Sequence, residues 1–135
     1  MDQQWTAMCK VKEIPVLGAR VLQRGLGWQE LPGVALFRTA DDQVFAFLDR
    51  WPDGQGPLAG ARVFGDRIVC PCSLRSMALA DGAMADGRYA RSYEVRLERG
   101  RVYLDVVALN APASRAEAAL AGTFATAAYA GVAWG

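Results

Sequence analysis

The chain of 135 residues contains no histidine and only three cysteines, Cys9, Cys70 and Cys72. Without an imidazole there is no general base for a Ser-His or Cys-His nucleophile pair, so hydrolysis of that type is excluded even at Ser73. Three thiols with no histidine also fall short of the four ligands that a structural zinc site needs. The Cys70-x-Cys72 spacing is not the Cys-x-x-Cys arrangement at a helix start that lowers a thiol pKa, so these cysteines read as small buried hydrophobes. Charge of one sign is missing as well: 15 basic residues face 14 acidic ones. The nearest thing to a basic cluster, Arg88, Arg91, Arg96, Arg99 and Arg101, is interleaved with Glu94 and Glu98, which argues against nucleic-acid binding. Neither a phosphate-binding P-loop nor a dinucleotide glycine fingerprint occurs. Asp41-Asp42 lie in one turn and Asp81 and Asp86 in others, so no close carboxylate pair is set up for acid-base work. The chain therefore lacks catalytic, cofactor-binding and metal-binding sets of its own. Its first ten residues have no basic stretch followed by an apolar one, and with an odd cysteine count this points to a cytoplasmic setting with reduced thiols.

What is present is a series of short strand-like runs. Trp5 to Met8 opens the first, a polar passage Lys10 to Pro15 follows, and Ala19 to Arg24 makes the second. Val34 to Arg38 and Val44 to Leu48 flank an acidic turn, both rich in β-branched and aromatic residues, and read as a hairpin. A second hairpin, Arg62 to Phe64 and Arg67 to Val69, turns at Gly65-Asp66 and delivers Cys70 at its end. Leu74 to Leu79 offers one more strand, and Ala83 to Arg91 shows no clear periodicity. Tyr93 to Glu98 and Arg101 to Val106 alternate apolar and polar residues across an Arg99-Gly100 turn, which predicts a hairpin with one wet face. The expected fold is all-β, a small antiparallel sandwich or barrel of one domain over residues 1–107.

Residues 108–135 differ in composition, turning to Ala, Gly and Thr with no charge after Glu117. Ser114 predicts the cap of a short helix through Leu120, giving the domain a helical or irregular tail. Poor in Leu and Ile, the tail is a weak candidate for a membrane span, which needs about 20 strongly apolar residues. It either packs on the domain, stays mobile, or docks on a partner through Phe124, Tyr129 and Trp134.

Two loops stand out. One is Trp51-Pro52-Asp53-Gly54-Gln55-Gly56-Pro57-Leu58, and the other, Cys70-Pro71-Cys72-Ser73, follows an apolar strand and leads through Leu74, Arg75 and Met77 to the Asp81-Gly82 turn. The pair resembles the Rieske domain, in which Cys-x-His-x-Gly-x-x-Leu and Cys-Pro-x-His loops clamp a 2Fe-2S cluster. Gly54, Gly56, Pro57, Leu58, Cys70, Pro71 and Asp81-Gly82 keep that framework. Trp51 and Asp53 stand where the first Cys and His would be, Ser73 stands at the second His position, and Met77 replaces the usual aromatic. A Rieske centre takes two thiolates and two imidazoles, so ligand counting disfavours a 2Fe-2S cluster held by one such chain. Trp51, Asp53, Cys70 and Ser73 then read as vestigial cluster positions, with Trp51 filling the cluster's volume and Asp53 stabilising its own turn.

A Rieske framework without its ligands is similar to the small subunit of assimilatory NAD(P)H-dependent nitrite reductase. Trp5, Ile14-Pro15, Val34 to Arg38, Asp41 to Ala46, Asp49 to Pro52, Gly65 to Val69 and Pro71 match that family, whereas its usual Pro-Leu-x-Lys-Gln-x-Phe second loop is replaced by Pro71 to Met77. The resemblance implies a non-redox subunit that binds a large subunit carrying FAD, a 4Fe-4S cluster and sirohaem, which reduces nitrite to ammonium. It also implies a contact surface made by Trp51, Pro52, Gly54, Pro57, Leu58, Cys70, Pro71, Cys72, Leu74, Arg75 and Met77. Two alternatives remain: a ferredoxin-like electron carrier whose cluster is shared between chains or held through Cys70, Cys72 and Asp53, and a stand-alone protein-interaction module.

Overall fold

A computed structural model describes residues 3–24, 31–52, 56–71, 75–113 and 117. Strand β1 (Trp5–Lys10) is followed by a single 3-10 turn (Val11–Glu13), then β2 (Ala19–Leu22), β3 (Val34–Arg38) and β4 (Val44–Leu48). The hairpin β5 (Arg62–Phe64) and β6 (Arg67–Val69) is joined by β7 (Ser76–Ala78), and β8 (Ser92–Tyr93), β9 (Val95–Glu98) and β10 (Arg101–Asp105) complete the strands. Helix α1 (Val106–Asn110) follows β10 directly. Among the described residues the strands form three antiparallel sheets, ordered β1-β10-β9, β2-β3-β4-β8 and β5-β6-β7, and with the short helix α1 the fold is all-β, as the strand spacing predicts.

The four-stranded sheet lies between two hydrophobic clusters, and the residues of β3 and β4 explain why. Successive side chains point to opposite faces, and β3 reads Val-Ala-Leu-Phe without a polar partner until Arg38. Ala35, Phe37 and Phe47 face a cluster with Trp51, Leu58, Val63, Ile68, Cys70, Met77 and Leu79. Val34, Leu36, Val44 and Ala46 face a second cluster with Ile14, Tyr93, Val102, Leu104 and Leu109. A strand covered on both faces needs a continuous apolar run, which β3 has. Its register with β4, Ala35 opposite Phe47 and Phe37 opposite Phe45, packs large rings against small or like neighbours on the loop-facing side.

Several boundaries differ from the sequence expectation. Strand β1 continues to Lys10, because it pairs with β10 as far as Lys10 opposite Arg101, past a bulge between Ala7 and Cys9. The polar passage shrinks to the 3-10 turn, held where the Glu13 carboxylate accepts from the Lys10 amide at 2.7 Å. The alternating run from Tyr93 to Glu98 is split: Tyr93 pairs with Ala46 in the central sheet, while β9 pairs with β10. As the edge of its sheet, β9 leaves Leu97 45% exposed, so the expected apolar face is not continuous. Strand β7 is shorter than the Leu74 to Leu79 run. The described helix starts at Val106, ahead of the 107/108 boundary, because Asp105 accepts from the Val107 amide at 3.0 Å and from the Gln4 amide at 2.9 Å. Ser114, Leu120 and the remainder of the tail, including Phe124, Tyr129 and Trp134, lie outside the described residues.

Strand β2 ends before Arg24 because that side chain turns inward. Arg24 is 4% exposed and donates to the carbonyls of Leu109, Pro32 and Ala111, at 2.9, 3.1 and 3.1 Å. It also meets the Glu117 carboxylate at 2.7 Å, with side-chain exposures of 3% and 10%. Burial alone pushes the Glu117 carboxyl up, but hydrogen bonds from Arg24 and the Ala113 amide outweigh it and hold it below the usual range. This pair fastens the segment after α1 onto the domain. Arg24→Ala strands three carbonyls and a carboxylate and is expected to cost about 3–5 kcal/mol in urea unfolding, whereas Glu117→Gln, which keeps an acceptor, costs about 1 kcal/mol. A depressed carboxyl contributes stability that is full above its unfolded pKa and is lost as pH falls through the folded value. Glu117→Gln should therefore lose less stability than wild type between neutral and acid pH.

Candidate functional site

The first loop leaves β4 at Leu48 and is held by backbone hydrogen bonds. The Trp51 amide donates to the Gly56 carbonyl at 3.0 Å, the Ala61 amide to the Leu58 carbonyl at 2.8 Å, and the Asp49 amide to the Gly33 carbonyl at 2.8 Å. The Asp49 carboxylate spans the loop, accepting from the Ala59 amide at 2.9 Å. Burial pushes the Asp49 carboxyl up, and the amides of Ala59 and Leu58 only partly offset it. The second loop leaves β6 at Val69 and is pinned where the Cys70 amide donates to the Arg75 carbonyl at 2.7 Å. Its return passes through β7 to Gly82, whose φ of +73° and close neighbours Phe47 and Ala90, within 3.0–3.1 Å of a would-be Cβ, admit no side chain. The Asp81 carboxylate accepts from the Ala83 amide at 3.0 Å, so the Asp-Gly turn read from the sequence is formed.

The two loops meet through a cation and a ring. The Arg75 guanidinium lies over the Trp51 indole, 4.8 Å from its centroid. Beneath it, Trp51 at 2% exposure, Leu58 and Met77 at 0% and Cys70 at 8% belong to one cluster. Burial removes these four side chains from any contact surface, and they support the loops from inside. Of the remaining positions assigned to that surface, Pro57 and Pro71 are exposed and Pro52 and Arg75 half-buried. Asp53, Gly54, Cys72, Ser73 and Leu74 lie outside the described residues. Two exposed large side chains, Phe64 at 64% and Tyr89 at 65%, were not singled out by the sequence reading. Phe64 alternates with buried Val63 along β5, a pattern that could have marked it as outward-facing.

These residues do not fit a Rieske cluster. No imidazole exists in the chain, and the first thiolate position holds an indole packed into the core. Among the described residues, no group of three or more His, Cys, Asp or Glu side chains converges as metal ligands. Cys9 lies on β1 at the margin of the other cluster, and burial pushes its thiol up, which suppresses the thiolate. Among the described residues, no helix is long and apolar enough to cross a membrane.

The class that these features define is a Rieske-like fold, similar to that of nitrite reductase small subunits. No protein-family model matches the chain, and no curated protein matches it in sequence. Solved structures do. The Escherichia coli protein NirD is 26% identical, with a TM-score of 0.61 over 76% of this chain and 96% of its own. A chain described as the NADH-dependent nitrite reductase small subunit of Mycobacterium tuberculosis is 23% identical, with a TM-score of 0.62 over 77% of this chain and 96% of its own. A chain in the complex of oxygenase and ferredoxin of carbazole 1,9a-dioxygenase is 23% identical, with a TM-score of 0.63 over 77% of this chain and 94% of its own.

Removing the ring that supports both loops should open a cavity. Trp51→Ala is expected to lower unfolding free energy by about 3–5 kcal/mol, measured by urea denaturation. At Asp49 the sign differs. A carboxyl raised on folding contributes most below its unfolded pKa and loses that contribution as pH rises through the folded value. Asp49→Asn retains an acceptor for Ala59 and sheds the buried charge, so it should equal or exceed wild-type stability at neutral pH. Asp49→Ala should lose about 1–2 kcal/mol at the same pH.

Proposed function

We propose that the chain is a non-redox small subunit that binds and supports a large NAD(P)H-dependent nitrite reductase subunit in the cytoplasm, within nitrate assimilation. The single observation that carries this reading is the Trp51-Arg75 stack: the Rieske loops keep their hydrogen-bonded closure, yet a buried indole occupies the first ligand position. Trp51 fills the volume that a cluster would take, which makes the pair a degenerate 2Fe-2S site with Trp51, Asp53, Cys70 and Ser73 at the vestigial positions. The likeness to nitrite reductase small subunits supports the choice of partner class. FAD, a 4Fe-4S cluster and sirohaem are assigned to the large subunit, which performs the reduction of nitrite to ammonium. This chain contributes shape and contact. Its exposed loop residues, Pro57 and Pro71 with Arg75 between the loops, form the surface that the partner meets.

The second reading, a ferredoxin-like carrier with a shared or unusually ligated cluster, draws on the likeness to a chain of an oxygenase-ferredoxin complex. The third, a stand-alone interaction module, predicts co-purification without any large reductase. Anaerobic purification separates them. The proposed subunit is colourless, binds no stoichiometric iron or acid-labile sulfide, and co-elutes with a sirohaem-type large subunit when the two are co-expressed. A brown protein with visible bands and an EPR signal on reduction would overturn it. Arg75→Glu, which reverses the charge between the loops, should raise the dissociation constant of that complex at least tenfold, a loss of about 1.4 kcal/mol in binding free energy.

A further inference from the structure

A second site lies where the β3-β4 turn, the 3-10 turn and the β9-β10 turn come together. They enclose a cleft of about 440 Å³ whose charged lining is Lys10, Lys12, Arg38, Arg99, Arg101 and Asp42. Five cations thus face one carboxylate, and that carboxylate is already engaged, with Arg38 Nη2 2.7 Å from Asp42 Oδ1. Three further acids nearby do not line the cleft: the Asp41 carboxylate accepts from the Thr39 hydroxyl, and the other two are Glu13 and Glu98. Glu13 accepts from the Lys10 amide at 2.7 Å, and Glu98 stands across the hairpin from Arg101 without lining the cleft.

The cleft is held by fixed backbone. The Val11 amide donates to the Gly100 carbonyl at 2.9 Å, tying the 3-10 turn to the β9-β10 turn. Arg38 is only 15% exposed and donates to the Ile14 carbonyl at 2.9 Å, which orients its guanidinium. Two features of this arrangement are unfavourable in the absence of a ligand. Lys10 and Arg101 sit directly opposite each other on β1 and β10, and like charges in that relation repel. Arg99 holds a φ of 52° beside Gly100 at 75°, in a two-residue hairpin turn whose first position favours Asn, Asp or Gly. An Arg placed there at a conformational cost, over a cleft with four other cations, is the kind of outlier that clusters at binding sites.

We propose that this cleft binds a small, multiply charged oxyanion of the phosphate class. Lys10, Lys12, Arg99 and Arg101 would supply flexible charge, and Arg38 an oriented guanidinium with donors beyond those given to Ile14 and Asp42. This site is independent of the partner role assigned to the loops, since β4 separates the Asp42 turn from Trp51. A bound anion relieves the Lys10-Arg101 repulsion, so it stabilises the folded chain as well as occupying it.

Inorganic pyrophosphate, titrated calorimetrically into the full chain, tests the site, with chloride at matched ionic strength as the screening control. Pyrophosphate should bind with a dissociation constant below about 1 mM and raise the melting temperature beyond the chloride control. Arg99→Gly removes a cation while relaxing the turn, so it should fold at least as stably and bind at least fivefold more weakly. Arg88→Gln, on a different turn, should bind as wild type does. ADP titrated in parallel distinguishes the source of the phosphates: tighter binding than pyrophosphate assigns a nucleotide, and equal binding assigns the oxyanion alone. Stabilisation no greater than that by chloride, or equal weakening by Arg88→Gln, would overturn the site.

Discussion

Everything in this fold depends on β3 and β4 being buried on both faces. A sheet with one wet face supports one core, but Val34 and Leu36 point into one cluster while Ala35 and Phe37 point into the other. That leaves no solvent-facing side along most of β3, so polar residues are confined to its ends. There Arg38 and the Thr39 to Gln43 turn lie at one end of the hairpin, and Asp49 with the Trp51 loop lies at the other. The two apolar strands act as a rigid spacer between two polar ends. Chemistry-bearing residues have nowhere else to go on this hairpin.

At the loop end, the two loops are tied by contacts of their own. In a metal-dependent loop the binding energy of the ion is also folding energy. The described residues of these loops also make contacts of an ordinary kind. The Trp51 and Cys70 amides close their loops, Asp49 spans the first one, and the indole is packed against Leu58 and Met77 and covered by Arg75. Full burial of an aromatic side chain is worth about 1.5–3 kcal/mol, and its cation contact adds about 0.5–2 kcal/mol. Those magnitudes offset the ordering of a few loop residues, at about 1–2 kcal/mol each.

Much of this was legible in the sequence, and the parts that were not share a cause. The arms Val34 to Arg38 and Val44 to Leu48, and the hairpin Arg62 to Val69, lie where their β-branched runs and turn residues put them, because local pattern and tertiary burial agree. The loop pair was legible because glycines and prolines mark backbone requirements. Pairing that depends on a distant strand was not. Tyr93 lies on β8 and pairs with β4 and not with the β9-β10 hairpin, Leu97 is exposed because its sheet ends there, and Asp105 caps a helix although it ends a strand. Arg24 is the clearest case. A strand-terminal arginine reads as solvated, and only the convergence of Leu109, Pro32, Ala111 and Glu117 on it makes its burial tolerable. The Arg75-Trp51 contact was invisible for the same reason, since the two residues lie on different loops and no spacing rule connects them.

Net charge shows the same gap between sequence and space. With 15 basic and 14 acidic residues, the chain is balanced in composition, and along the sequence its arginines alternate with glutamates. Folding undoes that alternation. Neighbours along a strand point to opposite faces, whereas residues from different strands are brought side by side. Lys10 thereby comes to stand opposite Arg101, a like-charge pair that no window along the chain would reveal. Isolated, such a pair is a small penalty, of the order of the 0.2–1 kcal/mol typical of cross-strand contacts. Joined by Lys12, Arg38 and Arg99 around one cleft, it becomes a local excess of positive potential inside a nearly neutral molecule. Potential of that kind acts over roughly a Debye length, about 8–10 Å at physiological salt, so a ligand smaller than that span feels the cluster as a whole while the rest of the surface is screened.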